Sequence, residues 1–76
     1  MPYINARVVQ GVMSPAEKQR LAERLTDVVV EVFARGNESF RPNIWVVIDE
    51  VEASNWNAGG QPVELAAALR ATGRGQ

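Results

Sequence analysis

The chain has 76 residues, 8 basic and 9 acidic, for a net charge of −1, and it contains neither cysteine nor histidine. Disulfide staples and thiolate or imidazole metal sites are thereby excluded, and the even mixing of charge gives no basic face for nucleic acid. A domain of this length sits near the lower limit for a self-sufficient core, so oligomerisation is the staple that remains. Hydrophobic residues make up 46% of the chain, enough to build buried contacts between subunits. The apolar runs are too short to span a bilayer, and the N-terminus lacks the basic and apolar regions of a signal peptide. A single cytoplasmic domain with no internal repeat is expected, its core over about 2–61 and a tail over 62–76.

The first nine residues organise the rest. Removal of Met1, which a small second residue favours, would leave Pro2 as the N-terminus with a free secondary amine. Such a group is both nucleophile and proton acceptor. An ordinary α-amino group titrates near ~8, and burial or nearby cations lower that value towards the range that proton transfer requires. Retention of Met1 would turn the same nitrogen into an amide with no basicity. The β-branched and aromatic run Tyr3 to Val9 or Gln10 reads as a strand, which would pin this terminus instead of leaving it to fray.

Gly11 ends the strand. Ser14-Pro15-Ala16-Glu17 is a strong helix start, with a capping box from Ser14 to Glu17 and Pro15 at the first helical position. The helix is expected to run to Ala34 or Arg35. Leu21, Leu25, Val28, Val29, Val32 and Phe33 form its apolar stripe, and Gly36 its left-handed stop. Asn37 to Asn43 reads as a loop. Ile44 to Val51 reads as a second strand, continuously apolar to Ile48, as in a strand buried on both faces. A crossover of this length makes the two strands parallel. Two strands and one helix cannot cover both faces, so a second subunit must, through a sheet shared across a dimer. Gly59-Gly60 signals a tight turn. Pro62 to Arg70 favours a short helix opened by Pro62, and Ala71 to Gln76 is expected to fray. The fold class is α+β: a β-α-β subunit with a short C-terminal hairpin or helix.

The Met-Pro start leading into a strand, the capped helix, the apolar second strand and Asn55-Trp56-Asn57-Ala58-Gly59-Gly60 together resemble the 4-oxalocrotonate tautomerase family. The resemblance covers about Met1 to Gln61. It implies β-α-β subunits paired into dimers, with three dimers forming a hexamer. It also implies a cofactor-free and metal-free enol–keto tautomerase of small acids whose catalytic base is the N-terminal proline, matched by Pro2. An aromatic at the position of Trp56 packs in the family's pocket. Two arginines of the best-known members, which bind a dicarboxylate, are replaced here by Val12 and Trp45. Neither side chain can make a charge-assisted bond to a carboxylate. Such losses are worth several kcal/mol of transition-state binding, at ~3 kcal/mol for one oxyanion donor. A less anionic substrate is therefore expected, with Val12, Trp45 and Trp56 desolvating the amine.

Candidate replacements for the arginines are Arg7, which shares a strand face with Tyr3 and Val9 if faces alternate, and Arg41, ahead of strand two. Each has the plain reading of a solvated surface arginine. Tyr3 could donate a hydrogen bond instead. Asp49 and Glu50 read most simply as solvent-facing, and Asn55 and Asn57 as turn residues. Two other functions fit the same chain. One is addition of water to an unsaturated acid, with Glu50 or Glu52 activating the water. The other is a catalytically weak subunit of a mixed oligomer.

Overall fold

The computed structural model of the protein describes residues 2–71 and 73. The chain forms strand β1 (Tyr3–Val9), helix α1 (Pro15–Val32), a 3-10 helix (Glu38–Asn43) and strand β2 (Trp45–Val51). A second 3-10 turn (Ala53–Asn55), strands β3 (Asn57–Ala58) and β4 (Gln61–Pro62) and helix α2 (Leu65–Ala71) follow. The α+β class and the parallel strand pair are as expected. β1 and β2 run in register from Tyr3 opposite Trp45 to Val9 opposite Val51. The Gln10 N–H extends the ladder to the Val51 carbonyl at 2.8 Å.

Exposure alternates from Tyr3 to Val8 and from Trp45 to Ile48, and the parallel register carries the same faces to the strand ends. Ile4, Ala6 and Val8 on β1, with Val46, Ile48 and Glu50 on β2, lie on the α1 side, while Tyr3, Asn5 and Arg7 lie with Trp45, Val47 and Asp49 on the face that α1 leaves open. The start of α1 is the capping box read from the sequence: the Ser14 hydroxyl accepts from the Glu17 N–H at 3.1 Å, and the Glu17 carboxylate accepts from the Ser14 N–H at 2.9 Å. Its end comes earlier than expected, at Val32. Arg35 and Gly36 both take positive φ, 53° and 84°, and the Gly36 N–H bonds the Val30 carbonyl at 2.8 Å. With the six-residue closure of the Ala34 N–H on the Val29 carbonyl at 3.1 Å, this stops the helix. It turns the chain before Ala34 can join the helix.

Five other elements differ from the sequence reading. The helix stripe against the sheet is Leu21, Leu25, Val29 and the buried Val30, whereas Val28, Val32 and Phe33 are exposed. In the run Val28-Val29-Val30-Glu31-Val32 apolar residues point around most of the helix, and a two-stranded sheet is wide enough to cover only part of them. Residues 38–43 form a 3-10 helix, started by the Asn37 side chain accepting from the Ser39 N–H. Strand β2 begins at Trp45, because the Ile44 N–H is used to close that 3-10 helix on the Arg41 carbonyl. Pro62 belongs to β4, and α2 starts at Leu65. The reason is the turn between β3 and β4. Gly59 and Gly60 have φ of 58° and 80°, the pairing of positive values that closes a two-residue hairpin and extends the chain through Pro62. Finally, Glu50 does not face solvent: its carboxylate accepts from Lys18 Nζ at 2.7 Å and from the Gly11 N–H at 3.5 Å. The expected fraying of Ala71 to Gln76 concerns residues mostly outside those described. Among the described residues no helix is long and apolar enough to cross a membrane.

A single chain closes little core. The buried hydrophobic residues among those described are Val30 and Ile44. The radius of gyration is 15.2 Å, against about 11 Å for a compact domain of this length.

The Lys18 hydrogen bond, opposed by partial desolvation and aided by the Gly11 N–H, holds the Glu50 carboxyl below its ordinary value of 4.5. The unfolded chain therefore binds the proton first as pH falls, and the contribution of Glu50 to stability is present above that value and lost below it. Acid titration of Tm should show a loss of stability below about pH 4.5 that is shallower in Glu50→Gln.

Candidate active site

The parallel pairing gives the sheet two chemically different ends. At the first, the Pro2 carbonyl accepts from the Trp45 N–H at 3.1 Å, tying the residue into the strand pair. An open cleft of about 420 Å³, mostly apolar, is lined there by Pro2, Phe33, Phe40 and Asn43. The rings of Phe33 and Phe40 stack with centroids 5.7 Å apart. Tyr3 and Trp45 sit side by side on the open sheet face, 61% and 60% exposed. The Tyr3 hydroxyl accepts from Asn5 Nδ2 at 3.2 Å, so its own proton remains free to be donated.

Val9, the last residue of β1, and Val12 stand at the second end of the sheet, about 20 Å from Pro2 at ~3.3 Å per residue. Trp56 is at that end too: its indole N–H donates to the Val51 carbonyl at 3.1 Å. One chain thus brings Pro2 together with Trp45 but not with Val9, Val12 or Trp56.

Both candidate arginines have carboxylate partners. Arg7 Nε donates to Asp49 at 3.1 Å on the open face. Arg41 is held by Glu38, through Nε at 2.9 Å and Nη2 at 3.2 Å, and by Asp27 through Nη1 at 2.9 Å. These hydrogen bonds, that to Glu38 foremost, raise Arg41 above its ordinary value and lower Glu38. The guanidinium charge is spent on fixing the 3-10 helix against α1, and a substrate anion would have to displace two carboxylates to reach it. Glu50, one of the two water-activating candidates, is likewise engaged, by Lys18 and Gly11. Among the described residues no group of His, Cys, Asp or Glu is arranged to hold a metal ion.

Phe33, Phe40 and Asn43 were not legible as cleft residues. The available signal was two aromatics flanking a helix stop, Gly36, at a spacing that folds one ring back over the other.

The profile of the family described as "Tautomerase enzyme" matches residues 2–66. The chain belongs to the tautomerase family. This tautomerase is 37% identical over 65 residues to a probable tautomerase of Helicobacter pylori, covering 83% of this chain and 90% of that one. It is 30% identical over 63 residues to probable tautomerase K2 of Dickeya dadantii, covering 83% and 88%. Among solved structures it resembles TomN, a 4-oxalocrotonate tautomerase homologue in the tomaymycin biosynthetic pathway, with a TM-score of 0.70 at 30% identity over 92% of this chain and 95% of that one. It also resembles DmpI of H. pylori, with a TM-score of 0.67 at 34% identity over 82% and 95%. Membership makes the protein a tautomerase-type isomerase.

The indole of Trp56 anchors the second end through one hydrogen bond and its half-buried ring. Trp56→Phe should cost about 1 kcal/mol of stability, the value of one such bond. Trp56→Ala should cost about 3 kcal/mol through lost packing. Urea denaturation of the three proteins checks the order.

Proposed function

We propose that the protein, once Met1 is removed, is a cofactor-independent enol–keto tautomerase of small unsaturated or 2-oxo acids with Pro2 as the general base. The observation that carries this reading is the position of Pro2 in a tautomerase-family chain, pinned by the Trp45 N–H at the mouth of an apolar cleft. The cleft desolvates the amine, which disfavours the ammonium form. The neutral amine takes the enol O–H proton and, as the ammonium, returns it to the far carbon of the enol C=C. The enol C=C becomes the keto C=O, and the proton balance closes without a co-reactant.

The distance between the two ends supports a second part of the proposal. Trp56, Val9 and Val12 can border Pro2 only if they come from a neighbouring subunit, so the pocket is shared between chains. The exposed Tyr3, Trp45 and Val47 on the sheet and Val28 and Val32 on the helix are the surfaces through which chains would pair into dimers and the hexamer of the family. Substrate polarisation falls to neutral donors such as the Tyr3 hydroxyl, with Arg7 and Arg41 reachable only if their carboxylates are displaced.

Intact mass should show the chain without Met1, and the pH dependence of kcat/KM should rise with an apparent pKa below the ordinary ~8. Pro2→Ala, which keeps a more flexible primary amine, should lose about a hundredfold in kcat, the lower range for general-base catalysis. Acylation of the amine should abolish turnover. Undiminished tautomerisation by the acylated protein contradicts the proposal, as does activity in a chain that retains Met1.

A further inference from the structure

We propose that Glu50 and Lys18 are positioning residues for proton transfer: their ion pair fixes the turn between β1 and α1, so that Val12 and Trp56 meet the proline of a neighbouring subunit as one rigid wall. This inference rests on the reading that the pocket is shared between chains, and it names what holds the neighbour's half in place. Its ground is a set of hydrogen bonds at the second end of the sheet. Lys18 Nζ donates to Glu50 Oε2 at 2.7 Å, and the Gly11 N–H donates to Glu50 Oε1 at 3.5 Å. One carboxylate of β2 thereby ties α1 to the residue that follows the β1 ladder. The next residue of β2, Val51, holds the other half. Its carbonyl accepts from the Gln10 N–H at 2.8 Å and from the Trp56 indole N–H at 3.1 Å.

Residues 11–13 form neither strand nor helix, so they depend on anchors at either side. Before Val12 stands Gly11, held by Glu50. After it stands Ser14, whose N–H donates to the Glu17 carboxylate at 2.9 Å and whose carbonyl accepts from the Lys18 N–H at 3.0 Å. Lys18 serves both anchors, through its backbone in the helix cap and its side chain on Glu50. The short Lys18 bond sets where the carboxylate stands, and the long Gly11 bond follows from it. Both side chains are partly buried, and a pair with water this close adds little to stability. Its consequence is geometric. A wall that desolvates an amine must be locked by supporting contacts, because a slack wall admits water and favours the ammonium.

The test uses the Met1-free protein and follows ketonisation of phenylenolpyruvate across pH, with assembly checked by sedimentation. Glu50→Met removes both contacts at similar volume, and Lys18→Met removes the ammonium but keeps the stem. Glu50→Met should lower kcat/KM about tenfold and Lys18→Met about threefold, the order of one hydrogen bond. In both, the apparent pKa of the kcat/KM profile should move up towards the ordinary ~8, as water reaches the neighbour's amine. Glu50→Gln, which keeps an oxygen for the Gly11 N–H, should recover most of the loss. Lys18→Met carries the same readouts if Glu50→Met does not assemble. A lowered Tm with an unmoved profile makes the pair merely structural and overturns the proposal. Equal losses in the Gln and Met variants overturn it too, since the charge and not the contact would then matter. Unchanged kinetics in Glu50→Met and Lys18→Met likewise overturn it, while the shared pocket survives if Pro2→Ala chains regain activity on refolding with Trp56→Ala chains. Failure of that complementation sinks the shared pocket, and this inference with it.

Discussion

Parallel pairing of β1 with β2 is the constraint on which the rest depends. Parallel strands begin at the same end of a sheet. Pro2, Asn43 and Trp45 are therefore gathered at one end, and Gly11, Val12, Glu50 and Trp56 at the other. The long helix α1 is what makes the parallel arrangement possible, since such a crossover must travel back along the sheet. Its capped start and abrupt stop set where β2 begins. The stop matters most, because the turn at Arg35 and Gly36 brings Phe40 back over Phe33 and builds the wall beside Pro2.

A second consequence is a shortage of cover. One helix on one side of two strands leaves Tyr3, Trp45 and Val47 in solvent. With Val30 and Ile44 as the buried hydrophobic residues among those described, the favourable burial available to one chain is small against the entropy of ordering it. The surface left over lies on two faces, the open sheet and the outer side of α1 near Val28 and Val32. Association through both would repair the shortage and would bring the two unlike ends of different chains together.

Much of this was legible in the residues. Ser14, Pro15 and Glu17 are local signals, and local signals fix a helix start. The Gly59-Gly60 turn was readable for the same reason. The helix face was less so, because a run of valines satisfies several orientations and only the sheet decides which one is buried. Pro62 read as a helix opener because its preference for that position is real, but the hairpin pairing overrode it. For the site, Pro2 and the missing arginines at Val12 and Trp45 could be read by position. What Arg41 does could not, since its partners Asp27 and Glu38 come from two elements whose approach is set by the helix stop. The Phe33–Phe40 wall was hidden by the same turn.

The central claim is that proton transfer occurs at a pocket to which one chain supplies Pro2 and a neighbour supplies Trp56. Mixing inactive subunits tests it most directly. Pro2→Ala and Trp56→Ala chains, each of low activity alone, would be unfolded together, refolded at equal concentration and assayed against either chain refolded by itself. A shared pocket predicts that about one site in four regains both native residues in a symmetric assembly of randomly mixed chains, with activity rising to match. No recovery in demonstrably mixed oligomers would contradict it, because a pocket made within one chain can never regain both residues by mixing.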